Sequence, residues 1–182
     1  MNCHILPFCD GNTKIRLMFQ DEASFGRINE PRRCWCPKGV RPVVPSLKIR
    51  EYMQCYGAVE PFAGDSFFLV LPKTNIECMN IYLEKLSGYI GDDYLLLITD
   101  RAAWHTSKKL QVPENIRIVH IPPATPEMNP IEQIWKELRK SFKNELFKTL
   151  DGVIDRLCQA INNLTPSTIT RITGRDWIMG MF

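Results

Sequence analysis

From Lys14 to Gln20 the chain alternates, with Ile15, Leu17 and Phe19 on one side and Arg16, Met18 and Gln20 on the other. That two-residue period predicts a strand. The same pleat puts Asp21 on the face of Phe19 and sends Glu22 to the opposite face. Glu51 to Val59 and Ser66 to Leu71 are two more β-rich runs, joined across Pro61-Phe62-Ala63-Gly64-Asp65 in the pattern of an antiparallel hairpin. With the first strand they make a meander. From Asn75 to Ile90 the period lengthens, with Ile76, Met79, Leu83, Leu86 and Ile90 at helical spacing and Thr74 or Asn75 as N-cap. Tyr94 to Thr99 is a continuous apolar run of strand length, as expected of a strand buried on both faces, and Ile116 to Ile121 reads as a second such strand. Pro122, Pro123, Pro126 and Pro130 follow. A helix is predicted from about Pro130 to Glu145 and a last one from about Leu150 to Leu164. On the first of these, Glu132, Lys136, Arg139, Lys140 and Lys143 share one stripe, and Ile131, Trp135, Leu138, Phe142 and Leu146 form an apolar stripe beside it. The order of elements predicts an α/β fold with a sheet of mixed direction.

Composition narrows the picture without redirecting it. A chain of 182 residues, 45% of them hydrophobic, can bury one sizeable core, and no repeat or linker-like stretch divides it, so residues 1–182 are expected to form a single domain. Seven cysteines are an odd number, form no C-x-x-C pair and follow no signal peptide, which fits a reduced, cytosolic chain. Cys34-x-Cys36 is half of a zinc motif with no second half. No apolar run reaches the 18 or so residues of a membrane span, so a soluble protein is expected. The net charge of +3 argues only weakly for a nucleic-acid partner, but local charge is more telling. Between Arg27 and Arg50 lie Arg27, Arg32, Arg33, Lys38, Arg41, Lys48 and Arg50 against Glu30 alone, an excess of +6 in 24 residues. Pro37, Gly39 and Pro42 interrupt the segment from Pro31 to Pro45, which reads as an irregular basic excursion or a short hairpin, so about 27–50 is a basic insertion and a candidate phosphate-facing surface.

Three acids carry the candidate chemistry. Asp21 and Asp100 each close a strand-like run, and each has a plain alternative as a turn residue. Asp100 also stands at the carboxyl end of its strand, where open α/β sheets present their ligands. In Asn129-Pro130-Ile131-Glu132, the acid sits three residues after an N-cap type residue, so a capping box alone would account for Glu132. A fold that gathers all three creates a negative cluster that needs cations. Two divalent ions about 3.5–4 Å apart clamp the attacking and leaving oxygens of a phosphoryl displacement, and hard carboxylate ligands suit Mg2+ or Mn2+. A metal-activated water or 3′-hydroxyl then needs neither a serine nor a histidine as nucleophile or base.

Around these acids the sequence resembles a known family, the DDE transposases of bacterial insertion sequences in the Tc/mariner superfamily. The resemblance covers most of the chain. It is carried by Phe19-Gln20-Asp21-Glu22-Ala23-Ser24-Phe25, by Leu97-Ile98-Thr99-Asp100-Arg101-Ala102-Ala103-Trp104-His105, and by the segment from Ile121 to Trp135. The last is similar to the family's P-x-L-N-P-I-E-x-x-W block and is the most specific; thirty-one residues separate Asp100 from Glu132. The resemblance implies a ribonuclease-H-like, retroviral-integrase-like fold with a five-stranded mixed sheet flanked by helices. It also implies that Asp21, Asp100 and Glu132 are a catalytic triad holding two Mg2+ or Mn2+ ions. The implied activity is DNA cleavage and strand transfer at element ends, into target duplexes often at TA sites. A homodimer in the active complex, a separate DNA-binding subunit and a bacterial, nucleoid-associated location are further expectations.

DNA-contact candidates are Arg27, Arg32, Arg33, Lys38, Arg41, Arg101, Trp104, His105, Lys136, Arg139, Lys140 and Lys143. Trp104 and His105 have loop or core packing as their alternative. Two departures from the family pattern stand out: Met128 where Leu is common, and Arg101 where Asn or a small residue often follows the second Asp. Asp21 arrives too early for the family's N-terminal helix-turn-helix modules, so a catalytic half is expected, from a split element, a truncation or a remnant. The rival readings are a ribonuclease-H-like nuclease without strand transfer and an inactive DNA-binding remnant.

Overall fold

The computed structural model describes residues 14–28, 35–43, 45–123 and 125–180. Five strands form one sheet, β1 (Ile15–Gly26), β2 (Tyr52–Glu60), β3 (Asp65–Leu71), β4 (Tyr94–Thr99) and β5 (Ile116–His120), in the order β3-β2-β1-β4-β5. The hairpin prediction holds, since β1–β2 and β2–β3 are antiparallel, while β1–β4 and β4–β5 are parallel. The parallel half needs a crossover, and α1 (Ile76–Ile90) supplies it. Asn75 starts this helix, its side chain accepting from the Cys78 N–H at 2.8 Å.

Each face of the sheet carries a core. On one, α1 packs Met79, Tyr82, Leu83 and Leu86 against Met18, Tyr56, Ala58, Leu95 and Leu97. On the other lie α2 (Ile131–Lys140), α3 (Leu150–Asn162), α4 (Pro166–Thr173) and α5 (Asp176–Met179). They bring Ile131, Ile134, Trp135, Leu138, Val153, Leu157, Ile169 and Ile178 against Phe19, Ala23, Phe25, Cys55 and Val59. Among the described residues no helix is long and apolar enough to cross a membrane.

Four expectations need correction. The first strand does not end at Asp21: β2 stays paired with it from Phe19 to Gly26, long after the β4 pairing stops at Phe19, so Asp21 lies mid-strand. β4 is not buried evenly on both faces, for Leu95, Leu97 and Thr99 are buried while Tyr94, Leu96 and Ile98 are half-covered. β5, at the sheet edge, is barely covered beyond Ile116. The helix predicted to reach Glu145 ends at Lys140, where Ser141 Oγ donates to the Leu138 carbonyl and the chain turns, with Asn144 at φ 65°. The turn tucks Phe142 against Phe147, with ring centroids 5.5 Å apart. It leaves Lys143 off the helical stripe and Leu146 exposed. The two short helices α4 and α5 carried too few turns to show a period in the sequence.

Of the basic stretch at 27–50, residues 27–28, 35–43 and 45–50 are described and lie outside strands and helices, and residues 35–43 are exposed. Arg32, Arg33 and Cys34 fall outside the described residues. Cys36, Cys55, Cys78 and Cys158 are free thiols, with Cys55 and Cys78 buried as packing residues.

Candidate active site

The parallel register pairs Phe19 with Ile98, the last pair between β1 and β4; Asp21 lies two residues beyond Phe19 on β1, and Asp100 two residues beyond Ile98, just past the carboxyl end of β4. On β2 the residue opposite Asp21 is Gly57. With no side chain there, the Trp135 indole of α2 lies over the gap and donates from Nε1 to Asp21 Oδ2 at 2.9 Å. Glu132, one turn earlier on α2, lies close enough to Asp21 for its negative charge to act on it. Burial is the main cause of an Asp21 pKa of about 7; Glu22 and Glu132 add to it, and the bonds from Trp135 and the Glu22 N–H oppose it.

The start of α2 explains how Glu132 reaches this place. Asn129 is buried and donates from Nδ2 to the Gln20 carbonyl at 2.9 Å, which pins the helix to β1 one residue from Asp21. Its Oδ1 accepts from the Ile131 N–H at 3.4 Å, and no side-chain cap hydrogen bond forms at the helix N-terminus. The expected capping box is therefore absent, and Glu132 is not employed as its reciprocal acid.

Asp100 follows β4 directly and is half exposed. Its Oδ1 accepts from the Ala102 N–H at 2.9 Å and faces His105 Nδ1 at 2.7 Å. The other ring nitrogen, Nε2, faces Glu22 Oε1 at 3.0 Å, and Gln20 Nε2 donates to the same Glu22 oxygen at 2.9 Å. Burial works against a charged imidazole, but Glu22 and Asp100 together outweigh it and raise the His105 pKa. The Asp100 carbonyl is held separately, by Thr99 Oγ1 and by His120 Nδ1 on β5.

Among the described residues no three His, Cys, Asp or Glu side chains gather tightly enough to hold a metal ion. The donor chemistry nonetheless fits a hard divalent cation: Asp21 is a largely buried carboxyl that makes no ion pair among the described residues, and both hydrogen bonds that hold the Asp100 carboxylate fall on its Oδ1.

The DNA-contact candidates divide. Arg27 is committed to the fold, with Nη1 on Glu51 at 2.7 Å and Nε donating to the Phe147 carbonyl at 3.0 Å. Arg139 is half-buried, its guanidinium 5.9 Å from the centre of the Phe25 ring, and Lys140 pairs with Glu137. His105 is fully inside, and Trp104 packs against the α1-side core in T-shaped contact with it, which leaves these two little surface for DNA. Lys38, Arg41, Arg101, Lys136 and Lys143 are exposed. Sequence reasoning missed Glu22, Asn129 and Trp135 as site residues. The available signal was that all three stand inside the family-like segments.

Residues 16–154 match the DDE superfamily endonuclease family. The chain is 37% identical over 126 residues to the uncharacterized protein y4pE/y4sA of Sinorhizobium fredii (strain NBRC 101917 / NGR234), covering 67% of this chain and 93% of that protein. Of the solved structures, the Mos1 mariner paired end complex with Mn is similar at a TM-score of 0.73 and 12% identity, over 87% of this chain and 52% of that one. The catalytic domain of Mos1 mariner transposase is similar at 0.63 and 11%, over 87% and 76%. A simian T-cell lymphotropic virus intasome is similar at 0.54 and 13%, over 84% and 50%. At these identities the likeness to solved structures is one of fold, and the chain spans about half the length of the Mos1 chains in their DNA-end complexes. With the match running from β1 into α3, on a five-stranded mixed sheet like that of the mariner catalytic domain, the chain belongs to the DDE superfamily of endonucleases.

Proposed function

We propose that the chain is the catalytic domain of a DDE transposase of the Tc/mariner type, cleaving DNA at element ends and joining the freed 3′ ends to target DNA. What supports this reading is that Asp21 and Asp100 each lie two residues past the last β1–β4 pair, Phe19 with Ile98, and that the Glu132 charge acts on Asp21. Asp21, Asp100 and Glu132 would hold the divalent ions, and Mos1 complexes with Mn and with Mg support that choice of metal. Two bound Mg2+ or Mn2+ ions would supply Lewis acidity to the phosphodiester and lower the pKa of the attacking hydroxyl. The chain's own contribution is placement: Trp135 fixes Asp21, Ala102 and His105 fix Asp100, and Asn129 anchors the helix that carries Glu132.

Exposed Lys38, Arg41, Arg101, Lys136 and Lys143 are offered as phosphate contacts, with Arg32 and Arg33 added on sequence grounds. Duplex DNA at element ends and target, two copies of the chain in the active assembly, and a separate DNA-binding subunit complete the reading.

A strand-joining assay tests it directly, using duplex with a recessed 3′-hydroxyl and a target duplex in Mg2+. Joined product is expected; cleavage without joining would instead mark a ribonuclease-H-like nuclease. Asp100→Asn keeps an acceptor for the Ala102 N–H, so the fold should persist while cleavage falls by about a thousandfold or more, the rate equivalent of several kcal/mol of lost metal stabilisation. Undiminished cleavage by that variant would remove Asp100 from the mechanism.

A further inference from the structure

We propose that Glu22 and His105 are positioning residues that aim Asp100, holding its Oδ1 so that Oδ2 is the oxygen presented to a divalent cation. The inference rests on the reading of Asp100 as a metal ligand.

Asp100 lies just past a strand end and is half exposed, a location where a carboxylate ordinarily samples several rotamers. Here Oδ1 is engaged twice, by the Ala102 N–H and by His105 Nδ1. The imidazole cannot turn away without breaking two contacts at once, because Nε2 is held by Glu22, and its side chain is fully buried. Glu22 is 6% exposed and is steadied by Gln20 Nε2. The chain of contacts thus runs from the interior of β1 to the edge of β4.

Its origin in β1 gives it meaning beyond packing. Glu22 is the next residue after Asp21 and points to the α1 face, while Asp21 points to α2 and is fixed there by Trp135. Adjacent residues of one strand therefore connect to both acids, Asp21 being held directly by Trp135 and Asp100 through Glu22 and His105. Partners behind a ligand that orient it in this way ordinarily change metal affinity by about 10–100-fold when removed.

The test is Mn2+ binding to the purified chain, followed by electron paramagnetic resonance of free Mn2+, together with single-turnover DNA cleavage against Mn2+ concentration. Glu22→Gln and His105→Ala should weaken Mn2+ binding by about 10–100-fold. Both should raise the Mn2+ needed for half-maximal cleavage, with most of the rate recovered at saturating metal. His105→Asn, whose amide N–H can reach Asp100 as Nδ1 does, should restore much of the affinity. Glu22→Gln is close to isosteric and decides the matter if His105→Ala fails to fold. If Asp100→Asn loses Mn2+ binding while Glu22→Gln and His105→Ala bind as the parent does, the positioning role is overturned and the ligand reading stands. If Asp100→Asn binds Mn2+ as tightly as the parent, both fall. A variant that loses cleavage rate at saturating metal with unchanged affinity also overturns the proposal, since that is the mark of a purely structural part.

Discussion

The carboxyl group of Asp21 is surrounded in a way that suits its neutral form better than its charged one. It ionises near 3.8 in an unfolded chain and at about 7 in the fold, with burial as the leading cause. Between those values the folded state binds the more protons, so this group's contribution makes stability fall as pH rises and level off above about pH 8. In metal-free thermal melts, Asp21→Asn should therefore gain on the parent between about pH 5 and pH 8, reaching several degrees at the upper end. Taking the difference between the two proteins cancels the other titrating groups. Added Mn2+ should narrow the gap by stabilising only the parent; an equal gap with and without Mn2+ would argue against Asp21 as a ligand. At this scale much was visible beforehand. Asp21, Asp100 and Glu132 were proposed from their places in family-like segments, although Asp21 lies mid-strand rather than at the end of its run. Trp135 was not, because its place on the apolar stripe accounts for it fully until β2 and β1 are brought beneath it. His105 was considered for DNA, and only the pairing of distant strands shows that its two partners are Asp100 and Glu22.

Helix α2 is seated on the sheet through a gap. A Cβ at Gly57 would lie 2.6 Å from Trp135 Cη2 and 2.8 Å from Phe68 Cε1, both ring atoms of well-packed side chains. Gly57→Ala should push the indole off Asp21 and cost about 1–3 kcal/mol in urea unfolding. It should lower cleavage more than an equally destabilising change far from α2, because it displaces Glu132 as well as Trp135. Cleavage unchanged per folded molecule would show that the seat of α2 tolerates the shift. Elements with an unbroken period, such as α1 and the β2–β3 hairpin, were readable within a residue or so of their ends. β1 ran past its expected end because Gln20-Asp21-Glu22 looks like a turn until Ala23 and Phe25 resume the alternation. Asn129 had the look of a helix cap, and its side chain also donates from Nδ2 to the β1 backbone, which the sequence did not show.

Across the whole molecule the sheet has a compensated end and an uncompensated one. At the first, Arg16 donates to Glu60 at 2.6 and 2.9 Å and also to Asp65, whose other oxygen accepts from Tyr89 at 2.6 Å. At the other, Asp21, Glu22, Asp100 and Glu132 make no ion pair with Arg or Lys among the described residues, and His105 lies between Glu22 and Asp100. Removing the guanidinium with Arg16→Ala leaves Glu60 buried without its partner and should cost about 3 kcal/mol or more, read as a lower urea midpoint. Its effect on Mn2+ binding should be small, because the two ends are separate; a loss of affinity matching the loss of stability would mean that they act as one unit. The mixed direction of the sheet followed from the order of elements, but the half-covered face of β4 and the edge position of β5 did not, since an apolar run looks the same whether one or both sides are packed. The pleat of β1 has one more consequence. Codons 21 and 22 specify acids that serve opposite sides of the sheet, so gain or loss of a single codon between 15 and 20 would exchange their duties and spoil both. Descendants of this gene can thus not lengthen or shorten that stretch, whereas the exposed segment at 35–43 imposes no such constraint of register on its length.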